Sequence, residues 1–411
     1  VTPKILNRSM IIRATDEVTI ATLLRSSTEV SHGRLAHHLI ADLGHGYGSI
    51  GTFLSNLLIQ MYSKTRILED ARSVFDHMDG CSRNVYTWTL MIGAYTHHGQ
   101  SYNHSHEALE LYQNMLCEGI TPDNVTHLSV IAACSDPATL HLGIEIHIKC
   151  IEMRQRSVEL QQKSVKMHSK HALSDEVLQN AFVHMYAKCG SFQLAKNIFF
   201  GDNGPRGSVI AWNSMIGGYV EHDQFMEALI LYYNMFEECI TPDKVTFIGI
   251  LDAFSGLAIL AEGKRIHCII ISFGYDSDVI VATSLIKFYE KCLCIDEARG
   301  VFDRMNRRDV IVWNSMLAAY VKNVNSIKAF ELYEKMKDEG VQPNEVTFVS
   351  ILGVCTSVEN LSQGKVIHSD LEKFGFESNI IVGTALVNMY GKCEQLVDAR
   401  RAFHKLNERN V

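Results

Sequence analysis

Residues 310–320 read VIVWNSMLAAY, residues 209–219 read VIAWNSMIGGY, and residues 85–95 read VYTWTLMIGAY. Trp313, Trp212 and Trp88 are the three tryptophans of a 411-residue chain. A tyrosine follows each by seven positions: Tyr320, Tyr219 and Tyr95. Seven residues is about two helical turns, so each pair lies on one helix face. A rare residue that returns in one local context marks a tandem array.

Working outward, each Trp segment ends at a proline followed by Asp or Asn: Pro122–Asp123, Pro242–Asp243 and Pro343–Asn344. Three of the six prolines fall there. Proline cannot continue a helix, so these mark its end. A second segment type begins next (NVTHLSVIAAC, KVTFIGILDAF, EVTFVSILGVC) and runs into LHLGIEIH, LAEGKRIH and LSQGKVIH. A third, shorter type reads FLSNLLIQMYSK, VLQNAFVHMYAKCG, VIVATSLIKFYEKC and IIVGTALVNMYGKC.

Placing Trp fourth in the first type gives a consistent frame. The first type spans 209–243 and 310–344, the second 244–278 and 345–379, and the third 279–309 and 380–410. Those are 35, 35 and 31 residues, and the triplet recurs every 101, the interval from Trp212 to Trp313. Earlier copies carry insertions, around SYNHSH near 101–106 and in the basic stretch 154–171. The frame predicts eleven units: 17–51, 52–84, 85–123, 124–175, 176–208, 209–243, 244–278, 279–309, 310–344, 345–379 and 380–410. Residues 1–16 form a partial or frayed leading segment, and Val411 opens a further unit.

Each unit is expected to be two helices. Trp212, Met215, Ile216 and Tyr219 form an i, i+3, i+4, i+7 face, and Ala228, Leu231, Tyr232 and Met235 form another. Neither helix buries its stripe alone, so hairpins must stack. The predicted fold is all-α, a right-handed α-solenoid of tandem helix-turn-helix repeats. The Trp, Tyr, Met and Cys stripes are then core, Cys189, Cys292 and Cys393 included.

Composition agrees. The chain is 47% hydrophobic and 20% charged, with no apolar run long enough to span a membrane. Eleven cysteines, an odd number with several in register with the repeat, suit reduced, buried thiols better than a disulfide framework. The net charge of −8 averages over the surface and does not decide where a basic groove lies. The chain opens on Val1 and is expected to be a piece of a longer protein. Lys4, Arg8 and Arg13 precede any acidic residue, a faint likeness to a transit peptide, although a frayed array end is the plainer reading.

The alternation of 35, 35 and 31 residues resembles pentatricopeptide repeats of the plant PLS subclass, over residues 17–410. The resemblance implies binding of single-stranded RNA, one base per repeat, in the mitochondrion or chloroplast. It also implies that the fifth and last residues of a unit choose the base. Those pairs are Asn56 with Asn84, Thr89 with Asp123, Asn180 with Ser208, Asn213 with Asp243, Thr283 with Asp309, Asn314 with Asn344, and Thr384 with Asn410. An ionised Asp accepts from guanine N1–H or uracil N3–H. Asn or Ser can donate to adenine N1 or cytosine N3. Thr at position five goes with purines and Asn with pyrimidines. Second-type units carry Ala21, Leu128, Ile248 and Val349 there, which cannot read a base edge and are expected to act as spacers. The implied target is 5′-nYGnCUnGYnA-3′, with Y a pyrimidine and n unread. The restriction of both positions to so few residue types is expected to reflect base reading.

Position two is apolar in the reading units: Phe53, Tyr86, Val177, Ile210, Ile280, Ile311 and Ile381. The resemblance implies packing against the base, and packing between repeats is the alternative. Position thirteen is Lys64, Lys188, Lys291, Lys322 and Lys392, candidate phosphate contacts. The alternative there is a cation near helix carbonyls. His97 and Glu221 break that pattern.

Other constellations carry less. His97, His98, His104 and His106 match no common ligand spacing, and Cys292 with Cys294 has no second pair, so no metal and no cofactor is expected. The 154–171 insertion is expected to be a surface loop. No Gly-rich phosphate loop or nucleophile motif occurs. The expected function is sequence-specific RNA binding in organellar processing or C-to-U editing, without catalysis in this chain. One alternative is the targeting region of an RNA-editing cytidine deaminase whose H-x-E and C-x-x-C lie beyond residue 411. Another is a protein-interaction scaffold. Partners implied are single-stranded RNA and editing or processing factors, with no membrane and no small-molecule substrate.

Overall fold

The computed structural model describes residues 49–98, 102–162, 172–355 and 360–407, with a few positions between 21 and 37. Twenty α-helices and two short 3₁₀ turns make up the described residues, with no strand among them. The unit expected at 17–51 and the segment 1–16 lie almost wholly outside the described residues, as do Asn410 and Val411. Two compact parts divide the chain, residues 1–214 and 215–411.

In the first part the helices are α1 (Ser49–Lys64), α2 (Leu68–His77), α3 (Val85–His98) and α4 (Tyr102–Cys117). They continue with α5 (Asn124–Ala133), α6 (Leu140–Gln162), α7 (Ala172–Lys188) and α8 (Phe192–Phe199). Helix α9 (Val209–Glu221) carries the division. The second part begins with α10 (Phe225–Glu237), α11 (Lys244–Leu257), α12 (Leu260–Ser272), α13 (Val279–Lys291) and α14 (Ile295–Arg304). It closes with α15 (Val310–Lys322), α16 (Ser326–Asp338), α17 (Glu345–Val354), α18 (Leu361–Lys373), α19 (Ile380–Lys392) and α20 (Leu396–Asn407).

The odd-numbered helices are the first members of hairpins. In the first part α1 packs on α3, α3 on α5, and α5 on α7. In the second part α11, α13, α15, α17 and α19 pack successively in the same way. In the first part α2, α4, α6 and α8 each pack on their own partner, as do α12, α14, α16, α18 and α20 in the second, and several also reach the next first helix. The Trp and Tyr faces close this core: Trp88, Trp212, Trp313, Tyr219 and Tyr320 are buried.

Local chemistry sets the helix ends. At the close of α4, Ile120 N–H reaches Met115 O and Gly119 adopts φ 74°. Ile240 with Met235, and Val341 with Met336, repeat the arrangement. This is a Schellman end, and the buried proline that follows prevents continuation. Asp123, Asp243 and Asn344 then cap α5, α11 and α17 as capping boxes with Thr126, Thr246 and Thr347. The turn inside seven of the hairpins also passes through a left-handed residue: Arg66, Gly190, Asp223, Ala258, Leu293, Val324 and Glu394.

A contact absent from the sequence analysis joins third-type to first-type units. Phe75, Phe199 and Phe302 meet Trp88, Trp212 and Trp313 edge-on, with centroids 4.8, 4.7 and 4.8 Å apart. Arg83 and Arg308 lie 4.7 and 4.8 Å over Phe75 and Phe302 and pair with Glu118 and Glu339.

Three expectations need correction. The 154–171 insertion is not simply a loop, because α6 continues as helix to Gln162. Its 23 residues compare with 13 in α12 and in α18. Cys189 and Cys393 are buried, yet Cys292 is only half-buried. None of the eleven cysteines forms a disulfide, but Cys81, Cys117, Cys239 and Cys268 are exposed.

Candidate nucleic-acid interface

The first-helix layer carries every described fifth-position residue, and the last-position residues stand at the start of the helix that follows. Two pairs touch directly. Asn180 Nδ2 donates to Ser208 Oγ at 3.1 Å, and Asn314 Nδ2 donates to Asn344 Oδ1 at 2.9 Å. A third pair is joined through one hydroxyl: Thr89 Oγ1 lies 2.6 Å from Thr126 Oγ1, which donates to Asp123 Oδ1 at 2.8 Å. Thr347 plays the same bridging part, donating to Asn314 Oδ1 at 2.7 Å. The sequence analysis missed these third-position threonines, although their D/N-x-x-T spacing was on view.

Two further pairs, Thr283 with Asp309 and Asn56 with Asn84, show no direct bond among the described residues. Thr283 and Thr384 donate back to Val279 O and Ile380 O, each at 2.7 Å. Asp309 accepts from Ile311 N and Val312 N, both at 3.1 Å. Asn84 accepts from Thr87 N at 3.0 Å, capping α3. Asn213 and Asp243 fall in different parts of the chain, 1–214 and 215–411. Asn410, the partner of Thr384, lies outside the described residues.

Two features qualify the expectation drawn from composition. The last position is a helix N-cap, where Asn, Asp and Ser are favoured for backbone reasons alone. Asp278 and Asn379, the last residues of two second-type units, cap α13 and α19 in the same way. The restricted choice at that position therefore has a structural cause as well. In addition, Asn56 and Asn314 are only 7% and 8% exposed. Asn314 uses both its amide groups on Asn344 and Thr347.

Position two behaves differently. Phe53, Tyr86, Val177, Ile210, Ile280, Ile311 and Ile381 are all exposed, from 47% to 66%. Packing between repeats leaves about half of each in water. Val125, Val245 and Val346, at position two of second-type units, are exposed as well, and the sequence analysis left them out.

Each candidate phosphate lysine is exposed and sits at the last residue of a first helix. Lys322 Nζ is paired with Glu290 Oε2 at 3.0 Å. Lys64, Lys188, Lys291 and Lys392 have no ion pair among the described residues. No cluster of three His, Cys, Asp or Glu among the described residues is arranged to hold a metal. No helix among them is long and apolar enough to cross a membrane.

Paired helices with the same exposed positions in every hairpin define a helical-repeat protein. The chain belongs to the pentatricopeptide repeat family. The PPR repeat family matches residues 83–136, 207–256 and 308–356, and the PPR repeat matches 53–82 and 280–310. The pentatricopeptide repeat-containing protein At2g33680 of Arabidopsis thaliana is 32% identical over 388 residues, 94% of this chain and 49% of that protein. The chloroplastic At1g11290 of the same plant is 31% identical over 93% of this chain and 44% of its own length. The mitochondrial At2g03380 is 31% identical over 95% of this chain and 53% of its own length. The chain thus spans about half the length of these relatives. Among solved structures, the pentatricopeptide repeat protein PPR10 in complex with an 18-nt psaJ RNA element superposes with a TM-score of 0.66 at 17% identity. That match covers 96% of this chain and 54% of PPR10, and it shows the fold, an α-solenoid of helix-turn-helix repeats.

Proposed function

We propose that this chain binds single-stranded RNA sequence-specifically, one base for each first- or third-type unit of an eleven-unit PLS array. The observation that carries this reading is the row of exposed apolar side chains at position two, from Phe53 to Ile381. A fold has no internal use for an aliphatic or aromatic side chain left in water at the same register of every described unit. A base face laid on each would remove it from water. The polar pair on the same helix layer lies where a base edge would be met, and the lysines at position thirteen lie where phosphates would pass.

In this reading the fifth and last residues choose the base by donor and acceptor pattern, and second-type units space the others. That PPR10 was crystallised with RNA supports it. Relatives named as chloroplastic and mitochondrial support an organellar setting and a part in RNA processing or editing. Affinity comes from stacking, edge hydrogen bonds and phosphate contacts, with no chemistry required of the chain.

The test is a titration of 5′-nYGnCUnGYnA-3′ and a scrambled RNA against the purified chain at several salt concentrations. The predicted RNA is expected to bind more tightly. With four unpaired lysines on phosphates, log K should fall against log salt with a slope of about −3. Equal affinity for both RNAs, or salt-insensitive binding, would favour a protein-interaction scaffold instead.

A further inference from the structure

Helix α10 carries two apolar faces, parted on one side by Glu227 and Asn234. Ala228, Leu231, Tyr232 and Met235 face the core. At about 100° per residue, Met226, Ile230, Tyr233 and Phe236 form a second arc of about 120° on the other side. These four are 44–54% exposed. A surface helix keeps its outer face polar, and an apolar outer face is ordinarily covered.

The array itself does not require this face. In the same register α16 carries Ile327, Glu331, Glu334 and Lys337, and α4 carries His106, Glu110, Gln113 and Leu116. Both siblings stack their hairpins with mostly polar outer positions. Acidic residues surround the α10 stripe, with Asp223, Glu227 and Glu238 exposed beside it and Glu237 exposed at its C-terminal end, and the helix holds no Lys or Arg.

We propose that the outer face of α10 is a docking site for an amphipathic helix of a partner protein, apolar along one stripe and flanked by Lys or Arg. The steps of four, three and three residues along the stripe offer ridges of the kind into which a second helix packs. A basic flank on that helix would meet the acidic rim. A second copy of this chain would set two acidic rims against each other. The site lies on a second helix, apart from the first-helix positions assigned to RNA, so it does not depend on the RNA-binding reading.

The probe is a helical peptide of about 16 residues, long enough to hold a helix on binding. It carries leucines at i, i+3, i+4 and i+7 and lysine flanks, and a twin carries glutamate flanks. Fluorescence anisotropy follows both against the 411-residue chain. The comparison protein carries Ile230→Glu, Tyr233→Glu and Phe236→Lys, the residues of α16, with folding checked by circular dichroism. The lysine peptide is expected to bind the natural chain at least about tenfold more tightly than the variant, and about tenfold more tightly than the glutamate peptide does. RNA affinity should stay unchanged. Equal binding to the variant, or equal binding of the glutamate peptide, would overturn the assignment. So would a dimer of the natural chain that the variant dissolves while neither peptide binds. Should the triple variant lose its helical signal, Ile230→Glu alone carries the comparison.

Discussion

Asn314 and Asn344 meet across a repeat junction, Nδ2 to Oδ1 at 2.9 Å, and Asn344 at the same time caps α17. One side chain therefore holds a helix end and stands at a proposed base-reading position. Asn344→Ala confounds the two roles, because a lost cap costs about 1 kcal/mol. Asn344→Asp separates them. Aspartate caps as well as asparagine and still accepts from Asn314 Nδ2, so the thermal midpoint should hold within about 2 °C. The preference opposite this unit should narrow from either pyrimidine toward uracil, whose N3–H needs an acceptor. Competition binding with RNAs varied at that one base checks it. An unchanged preference in a folded variant would argue against base reading by this pair.

Tyr86 is more than half exposed on the first-helix layer, so its removal costs the fold little. Stacking of one base on an aromatic ring is worth about 1–3 kcal/mol. Tyr86→Ala is therefore expected to weaken RNA binding by about 5- to 150-fold while leaving the melting curve in place. A loss of stability without loss of affinity would return position two to a packing role. By the same logic Asn213→Thr should move the preference at its base from uracil toward guanine, read by the same competition assay.

The helices and the buried faces were legible because they obey a period: Trp313 and Tyr320 recur seven apart on one face wherever that face is covered. The Phe302–Trp313 contact was not, because the Phe belongs to the preceding unit and no local spacing links the two. The capping role of Asn344 beside its proposed base-reading role was hidden for a different reason. Asn and Asp suit both an N-cap and a base edge, so residue type cannot separate the roles; the observed bonds to Thr347 and Asn314 bring the cap into view. The outer stripe of α10 also escaped the periodicity, since Ile230 and Tyr233 stand where α16 places Glu331 and Glu334 and no repeat rule asks for them.

Two helical glycines distinguish close approach from mere smallness. A Cβ on Gly263 would run into the ring of Phe288, where α12 crosses α13. At the matching site a Cβ on Gly364 would meet the Met389 sulfur at 2.9 Å. A ring packed in the core cannot turn aside, whereas a thioether can. Gly263→Ala should lower stability by about 1–3 kcal/mol, the usual range for overpacking. Gly364→Ala should cost less than about 1 kcal/mol, because helix propensity favours alanine. Paired thermal melts test the order; a larger loss at Gly364 would contradict it.

His267 is buried with Nδ1 2.8 Å from the Tyr289 hydroxyl and Nε2 3.3 Å from an Arg304 nitrogen. Burial, with Arg304 adding to it and Asp276 opposing, holds its imidazole down at about 4. Burial also lowers His127, His147 and His368, the last two in the same contact with Tyr186 and Tyr390. The sign follows from the proton count. The unfolded imidazole binds a proton near pH 6.5 and the folded one does not, so stability is complete above about pH 6.5 and is lost as pH falls toward 4. For His267 alone the full loss is about 3 kcal/mol. The melting temperature should therefore drop steadily from pH 7 to pH 4, and His267→Gln should flatten part of that slope. A profile level from pH 7 to pH 4, or one that His267→Gln leaves as steep, would mean that this imidazole is not held neutral by the fold.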